Sequence, residues 1–140
     1  TGSFSSSALI GRGGFGGVYK AESLKIGART MQAAIKRLDA AGKQGQGEFL
    51  AEIQMRGGCR HECLLPLWAF SVDGGYGDGE TPGTVCLVSP LMTGGSLQDR
   101  LFPDTEGARL RYTILSGHEG RFQVLSWIDR LRICVSCLKG

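Results

Sequence analysis

The pattern of hydrophobic and polar positions predicts strands in the first part of the chain and helices in the last part. Apolar runs bounded by glycine and polar residues predict strands, and apolar residues three and four positions apart predict helices. The predicted strands cover residues 6–10, 18–21, 30–38, 64–71 and 84–89. The predicted helices cover residues 46–56, 96–101 and 127–139. This order favours an α+β fold with a small antiparallel sheet over a doubly wound parallel sheet.

Three segments carry more detailed expectations. On the strand at 30–38, Ala34 and Lys36 share one face, and Ile35 lies on the other, because side chains alternate along a strand. In the helix at 46–56, the apolar spacing places Phe49, Leu50 and Ile53 on one side. Residues 102–123 are polar and poorly periodic, so we expect an insertion there.

Composition excludes several classes of protein. The chain has 140 residues, of which 41% are hydrophobic, which is enough for the core of a single domain. A net charge of +3 is too small to indicate a nucleic-acid surface. No apolar run approaches the roughly 20 residues of a membrane span, and the amino terminus does not resemble a signal peptide. Because Thr1 stands where an initiator methionine would, we expect the chain to be cut from a longer protein.

The cysteines indicate a reducing compartment rather than a metal site. Five cysteines without a secretory signal favour free thiols and a cytoplasmic location. Cys59 and Cys63 lie at a helix-to-strand connection, and Cys134 and Cys137 lie within a helix. Neither position forms the turn of a zinc site, so we expect buried, weakly polar side chains and no bound metal.

A glycine cluster between the first two strands carries the first chemical signal. Gly11, Gly13 and Gly16 form G-x-G-x-x-G, which opens a helix in dinucleotide-binding proteins but covers phosphates as a hairpin when a strand follows. Here Val18 and Tyr19 follow at once, as in a strand. Glycine lets backbone N–H groups approach phosphate oxygens. An ordinary glycine-rich turn would give the same local pattern.

A lysine on the next predicted strand carries the second signal. Lys36 ends the run Ala34-Ile35-Lys36, and an ammonium group in an apolar strand needs a partner. The following helix offers Glu52, and Glu48 lies one turn earlier on the same face as a rival. The alternative is that both glutamates are solvent-exposed charges of the helix.

These motifs occur in an order that resembles a protein kinase domain, most closely the receptor-like, Pelle and tyrosine-kinase-like group. The glycine loop and its valine, the Ala-Ile-Lys strand and the helix glutamate come first. Further matches are the segment Arg60-His61-Glu62-Cys63-Leu64-Leu65, the hinge-like segment from Leu87 to Leu97, and Ser126-Trp127 with Arg130-Leu131-Arg132-Ile133. The resemblance covers most of the chain apart from residues 73–83 and 102–123.

The resemblance implies two incomplete lobes. Residues 1–92 would form the kinase N-lobe and hinge, with a five-stranded antiparallel sheet and one packed helix. Residues 93–140 would begin a helical C-lobe with a short helix, the insertion at about 102–123 and the start of a longer helix. The implied activity of the full-length parent is phosphoryl transfer from ATP to serine or threonine of a protein substrate, less often tyrosine. The alternative is a non-catalytic, pseudokinase-like nucleotide-binding or protein-interaction module.

The resemblance also assigns roles to individual residues. Lys36 and Glu52 would be the catalytic lysine and its carboxylate, with Lys36 directed at phosphates. The remaining nucleotide-binding residues are a loop, an apolar ceiling and a hinge: Gly11, Gly13, Gly14, Phe15 and Gly16; Val18 and Ala34; and Ser89, Pro90 and Met92. Ser89 is small, so the pocket behind it should be open. Pro90 loses only its N–H, so it keeps the carbonyl acceptor that adenine needs.

Asp99 and the carboxyl-terminal part of the chain carry the remaining expectations. Asp99 falls where related kinases hold the ribose or the substrate, although a plain helix carboxylate is an equal alternative. The sequence contains neither H-R-D nor D-F-G and no asparagine, whereas phosphoryl transfer needs such groups. We therefore expect a truncated domain, inactive alone, with its Mg²⁺ ligands beyond the end of this chain. In a membrane-anchored parent, the domain would lie on the cytosolic side.

Overall fold

The computed structural model describes residues 4–13, 16–38, 43–72 and 84–139, with residues 43–46 and 48 described by their backbone only. Gly14 and Phe15, at the tip of the predicted phosphate loop, lie outside the described residues. The chain divides into two compact units. The first comprises Thr1–Arg60 and Leu65–Leu91, and the second comprises His61–Leu64 and Met92–Gly140.

The first unit is a five-stranded antiparallel sheet with one long helix. A short 3-10 turn, Ser6–Ala8, precedes the first strand. The strands are β1 (Leu9–Gly13), β2 (Gly16–Ile26), β3 (Arg29–Leu38), β4 (Ala69–Val72) and β5 (Val85–Pro90), in the spatial order β1-β2-β3-β5-β4. Helix α1 spans Lys43–Gly58. This architecture confirms the α+β fold that the kinase resemblance implied.

The two faces of the sheet bury different sets of side chains, because residues alternate along each strand. On one face, small and branched residues of the central strands form a core: Ala21, Ala33, Ile35, Cys86 and Val88. On the other face, Leu38, Val85 and Leu87 pack with Phe49 of α1, and Ile53 lies against them. Phe49 and Ile53 thus attach α1 to the sheet as predicted, whereas Leu50 is exposed.

The segment before β4 departs from the predicted strand. Residues 64–71 were expected to be extended, but β4 begins only at Ala69. Pro66 cannot donate a ladder hydrogen bond, which disfavours a strand around it. The chain joins the sheet at Trp68, whose N–H donates to the carbonyl of Val88 at 2.9 Å.

The second unit contains three helices among its described residues. They are α2 (Leu97–Leu101), α3 (Glu106–Ser116) and α4 (Trp127–Lys139). Helix α3 lies within residues 102–123, the predicted insertion, where the apolar pattern predicts no helix. Thr105 caps its first turn, and Gly117 ends it in the left-handed conformation at a φ of 84°. These capping residues mark a helix even where the apolar period is weak.

The cysteines and the last helix both place side chains at the surface. Cys59, Cys63, Cys134 and Cys137 are exposed, so the expectation that these four thiols are buried is wrong, whereas Cys86 is buried. Several apolar side chains of α4 are also exposed, including Trp127 at 72% and Leu138 at 89%. Among the helices of the described ranges, none combines the length and hydrophobicity needed to cross a bilayer.

The hairpin between β1 and β2 explains why one glycine of the cluster is needed by the fold. Gly13 and Gly16 lie opposite each other in the ladder, and Gly16 also pairs with Leu38 of β3. Gly16 has a φ of 136°, and a Cβ there would lie 2.0 Å from the carbonyl oxygen of Arg37. By contrast, a Cβ at Gly13 would meet nothing within 4 Å. The backbone of the fold therefore requires glycine at position 16 but leaves room for a side chain at position 13.

Replacing these two glycines by alanine should have unequal effects on stability. We expect Gly16→Ala to lower the free energy of unfolding by about 2 kcal/mol or more, because a strained φ and a backbone clash act together. Gly13→Ala, the matched control, should change it by less than about 1 kcal/mol. Urea titration followed by far-UV circular dichroism measures both values. Equal destabilisation by the two substitutions would contradict this account of Gly16.

Candidate functional site

The residues predicted to form an apolar ceiling and a phosphate-binding lysine share one face of the sheet. Val18 on β2 lies directly opposite Lys36 on β3, and Ala34 lies two positions before Lys36 on β3. Directly opposed residues and residues two apart project to the same face. All three side chains are partly exposed. The alternation predicted for Ala34, Ile35 and Lys36 is therefore the alternation observed.

Lys36 forms an ion pair with the helix that packs on this face. Its Nζ donates to Oε2 of Glu52 at 2.6 Å. The side chain of Lys36 is 32% exposed and that of Glu52 is 24% exposed, so the ammonium group is half-buried rather than enclosed. Glu48, the rival partner, is described by its backbone only. The lysine therefore has its neutralising partner and remains open to solvent.

A second cation shares the same carboxylate. Nη1 of Arg56 donates to Oε1 of Glu52 at 2.7 Å, one helical turn further along α1. Burial raises the pKa of Glu52, but the hydrogen bonds from Lys36 and Arg56 outweigh that effect, so the pKa lies below its ordinary value of 4.5. Glu52 is thus held as a carboxylate, with one oxygen directed at each cation.

Arg56 is the residue that sequence reasoning missed. Its Nη2 donates to the hydroxyl of Ser89 at 2.7 Å and makes longer contacts, at 3.3 and 3.4 Å, with the carbonyls of Leu65 and Pro66. The i, i+4 spacing from Glu52 would have suggested the ion pair. No pattern in the sequence would have indicated the bond to Ser89, because it joins residues 33 positions apart.

Ser89 and Pro90 end strand β5, where the resemblance placed the start of a hinge. Ser89 is buried and lies opposite Ala34, and Pro90 lies opposite Ala33. The space beside the small Ser89 side chain is not empty, because the Arg56 guanidinium lies against its hydroxyl. The expectation of an open pocket behind Ser89 is therefore wrong on the side that faces Arg56.

The remaining predicted residues, Met92 and Asp99, belong to the second unit. Met92 is 54% exposed, and its carbonyl accepts the N–H of Gly95 at 3.4 Å. Its role as a hinge residue stays a prediction.

The carboxylate of Asp99 is buried and hydrogen-bonded within its own unit rather than open to solvent. It is 1% exposed. Its Oδ2 accepts hydrogen bonds from the N–H and hydroxyl of Ser96, at 2.9 and 2.7 Å, in a capping box at the start of α2. Its Oδ1 accepts from Arg111 Nε at 2.8 Å and also from Nη2. Burial raises the pKa of Asp99, but the hydrogen bonds from Arg111 and Ser96 outweigh that effect, so the pKa lies below its ordinary value. The geometry supports the alternative of a helix carboxylate rather than a ribose or substrate contact.

Comparison with known proteins finds a matching family and similar sequences. Residues 4–135 match the family model described as protein tyrosine and serine/threonine kinase. The chain is 33% identical over its whole length to the serine/threonine-protein kinase CDG1 of Arabidopsis thaliana and covers 26% of that protein. It is 35% identical over its whole length to the probable serine/threonine-protein kinase PBL24 of the same plant, covering 30% of it. A leucine-rich repeat receptor protein kinase of rice, MSL1, is also 35% identical, and the chain covers 8% of it. The chain thus spans less than a third of each of these relatives.

The shifted pKa of Glu52 predicts how the first unit responds to acid. Because the folded pKa lies below the unfolded one, the contribution of Glu52 to stability is complete above the unfolded pKa and is lost as the pH falls through the folded pKa. Between about pH 6 and about pH 3, the wild type should therefore lose more unfolding free energy than Glu52→Gln. Denaturant titrations across that pH range measure the difference. Parallel pH dependences for the two proteins would contradict the assignment.

Because Asp99 is buried, we expect its ion pair with Arg111 to contribute to the stability of the second unit. Arg111→Leu leaves a nearly buried carboxylate without its counterion and should cost about 2–3 kcal/mol of unfolding free energy. Arg109→Leu is the matched control, because it removes an exposed ion pair with Asp104 and should cost less than about 1 kcal/mol. Urea unfolding of both variants tests the comparison, and equal losses would contradict a structural role for the Asp99–Arg111 pair.

Proposed function

Because the chain belongs to the protein tyrosine and serine/threonine kinase family, we propose that it binds ATP on the sheet face that carries Lys36. One observation carries this proposal above the others. Lys36 pairs with Glu52 at 2.6 Å, and its side chain stays partly exposed. It also lies close to the glycine hairpin, because Leu38, two positions further along β3, pairs with Gly16. A fixed cation beside a hairpin with room for close backbone approach suits a polyphosphate.

The proposed roles follow from the chemistry of each residue. Lys36 would bind the α and β phosphates, and Glu52 would keep its ammonium group oriented. The absence of a Cβ at Gly13 would let the hairpin backbone come close to phosphate oxygens. Val18 and Ala34 present small apolar surfaces on the same face and would contact the adenine ring. Pro90 would supply a carbonyl acceptor for the adenine edge.

Phosphoryl transfer is proposed for a whole protein of the length of these relatives, of which this chain would be one part. Transfer of the terminal phosphate to a protein serine or threonine needs an aspartate that orients the hydroxyl, and Mg²⁺ that neutralises the developing charge. The described residues contain no cluster of three or more histidine, cysteine, aspartate or glutamate side chains suited to a metal. Because the chain spans less than a third of the relatives it matches, we propose that residues outside this sequence supply the Mg²⁺ ligands and the catalytic aspartate, on the cytosolic side of any membrane.

A non-catalytic nucleotide-binding module is the alternative, and it shares the first step. The intact Lys36–Glu52 pair favours a site built for phosphates, which both functions would use. The two functions differ in metal-dependent chemistry, which any catalytic residues outside this sequence would decide. Nucleotide binding by the chain is therefore the property to test first.

Lys36→Met should weaken the binding of ADP by roughly tenfold or more, because a charged hydrogen bond to phosphate is lost. Isothermal titration calorimetry, with and without Mg²⁺, measures the dissociation constant. Lys25→Met is the matched control, since this exposed lysine lies at the far end of β2, opposite Thr30, and its loss should change the affinity by less than about twofold. Failure of the wild type to bind ADP, or selective binding of NAD, would refute the proposal.

A further inference from the structure

Arg56 forms a bridge between the ion pair of the candidate site and the end of strand β5. One guanidinium nitrogen, Nη1, bonds to Glu52 on its own helix, and the other, Nη2, bonds to Ser89 on β5, each at 2.7 Å. The Arg56 side chain is 22% exposed and Ser89 is 6% exposed, so water competes weakly for these bonds. Arg56 therefore joins Glu52 of α1 directly to Ser89 of β5.

The division of the Glu52 carboxylate between two cations restricts how it can turn. A carboxylate paired with a lysine alone can rotate and offer either oxygen, because an ammonium group is a point charge without a fixed plane. A guanidinium is planar and presents its N–H groups in a rigid fork. Since Nη1 of Arg56 holds Oε1, the other oxygen, Oε2, is left directed at Lys36.

The bond to Ser89 in turn restricts Arg56. Nη2 lies between the Ser89 hydroxyl and the carbonyls of Leu65 and Pro66. These acceptors come from β5 and from the segment that leads into β4, both outside α1. The guanidinium is thus fixed from the sheet side as well as from the helix side, and its orientation does not depend on α1 alone.

We propose that Arg56 is a positioning residue for nucleotide binding, which acts through Glu52 on Lys36 and depends on the hydroxyl of Ser89. The inference rests on the proposed function, because its effect is on the phosphates that Lys36 would bind. Arg56 itself makes no contact with the ligand in this proposal. Its effect should therefore reach the phosphate part of a nucleotide and not the adenosine part.

The first experiment compares ADP with adenosine on the wild type and on Arg56→Met, which keeps an unbranched stem but removes the guanidinium. The substitution should weaken ADP binding roughly two- to thirtyfold and change adenosine binding by less than about twofold. A purely structural role would weaken both ligands alike. The exposed Arg60, four residues along the chain, provides the control variant Arg60→Met, which should leave the ratio of the two affinities unchanged.

The second experiment tests the hydroxyl at position 89 with two variants of nearly equal shape. Ser89→Thr keeps a hydroxyl, and Ser89→Val replaces it with a methyl group. The ratio of ADP affinity to adenosine affinity should be higher in the threonine variant than in the valine variant. Any direct contact of residue 89 with adenine would change both ligands and cancel in the ratio. In Arg56→Met, the same pair of substitutions should have no effect on the ratio, because the donor to the hydroxyl is gone.

The outcomes separate the inference from the proposed function. If the wild type binds neither ADP nor adenosine, the proposed function fails and the inference fails with it. If the wild type binds ADP and Arg56→Met binds it equally well, or loses both ligands in proportion, the inference alone is overturned. If Arg56→Met does not fold, as a melting curve would show, the threonine and valine variants decide the question by themselves, and equal ratios overturn the inference.

Discussion

The shared carboxylate of Glu52 is the interaction on which the candidate site depends. One oxygen accepts from Lys36 of β3 and the other from Arg56 of the same helix. The apolar contacts of Phe49 and Ile53 attach α1 to the sheet, but apolar burial has no direction. The ion pairs supply the direction, because they require one rotation of α1 and one height along β3. Packing and charge together fix where the ammonium group of Lys36 lies.

Strand β3 shows how one short segment serves two purposes. Ala33 and Ile35 are buried in the core on one face, while Ala34 and Lys36 stay half-buried on the other. The core side is filled with small and branched residues, which allow close packing against β2 and β5. A shift of register by one residue would exchange the two faces and bury the lysine in the apolar core. The packing of the core therefore also keeps Lys36 accessible, because the register that buries Ile35 is also the register that exposes Lys36.

The parts of the structure that the sequence predicted rest on local patterns. The glycine cluster followed by Val18 indicated a hairpin, and the Lys36–Glu52 pair followed from the cost of an unpaired lysine in a strand. The missed features depend on contacts between distant segments or on weak periodicity. The bond from Arg56 to Ser89 joins the helix to β5, and α3 is defined by Thr105 and Gly117 at its ends rather than by an apolar stripe. The role of Asp99 depends on Arg111, which lies in the segment expected to be an insertion.

Glu52 and Asp99 are both carboxylates paired with arginine, but only Glu52 also holds a cation that remains accessible to solvent. Asp99 is 1% exposed, and both of its oxygens accept bonds from Ser96 and Arg111, so its hydrogen-bonding capacity serves its own unit. Glu52 also uses both oxygens, but one of them holds a lysine whose side chain is 32% exposed. An ammonium group has three N–H donors, and the bond to Glu52 uses one of them. Among the described side chains, the pair therefore keeps a fixed cation with two further donors on an accessible sheet face, which is the property that an anionic ligand requires and that the Asp99 pair lacks.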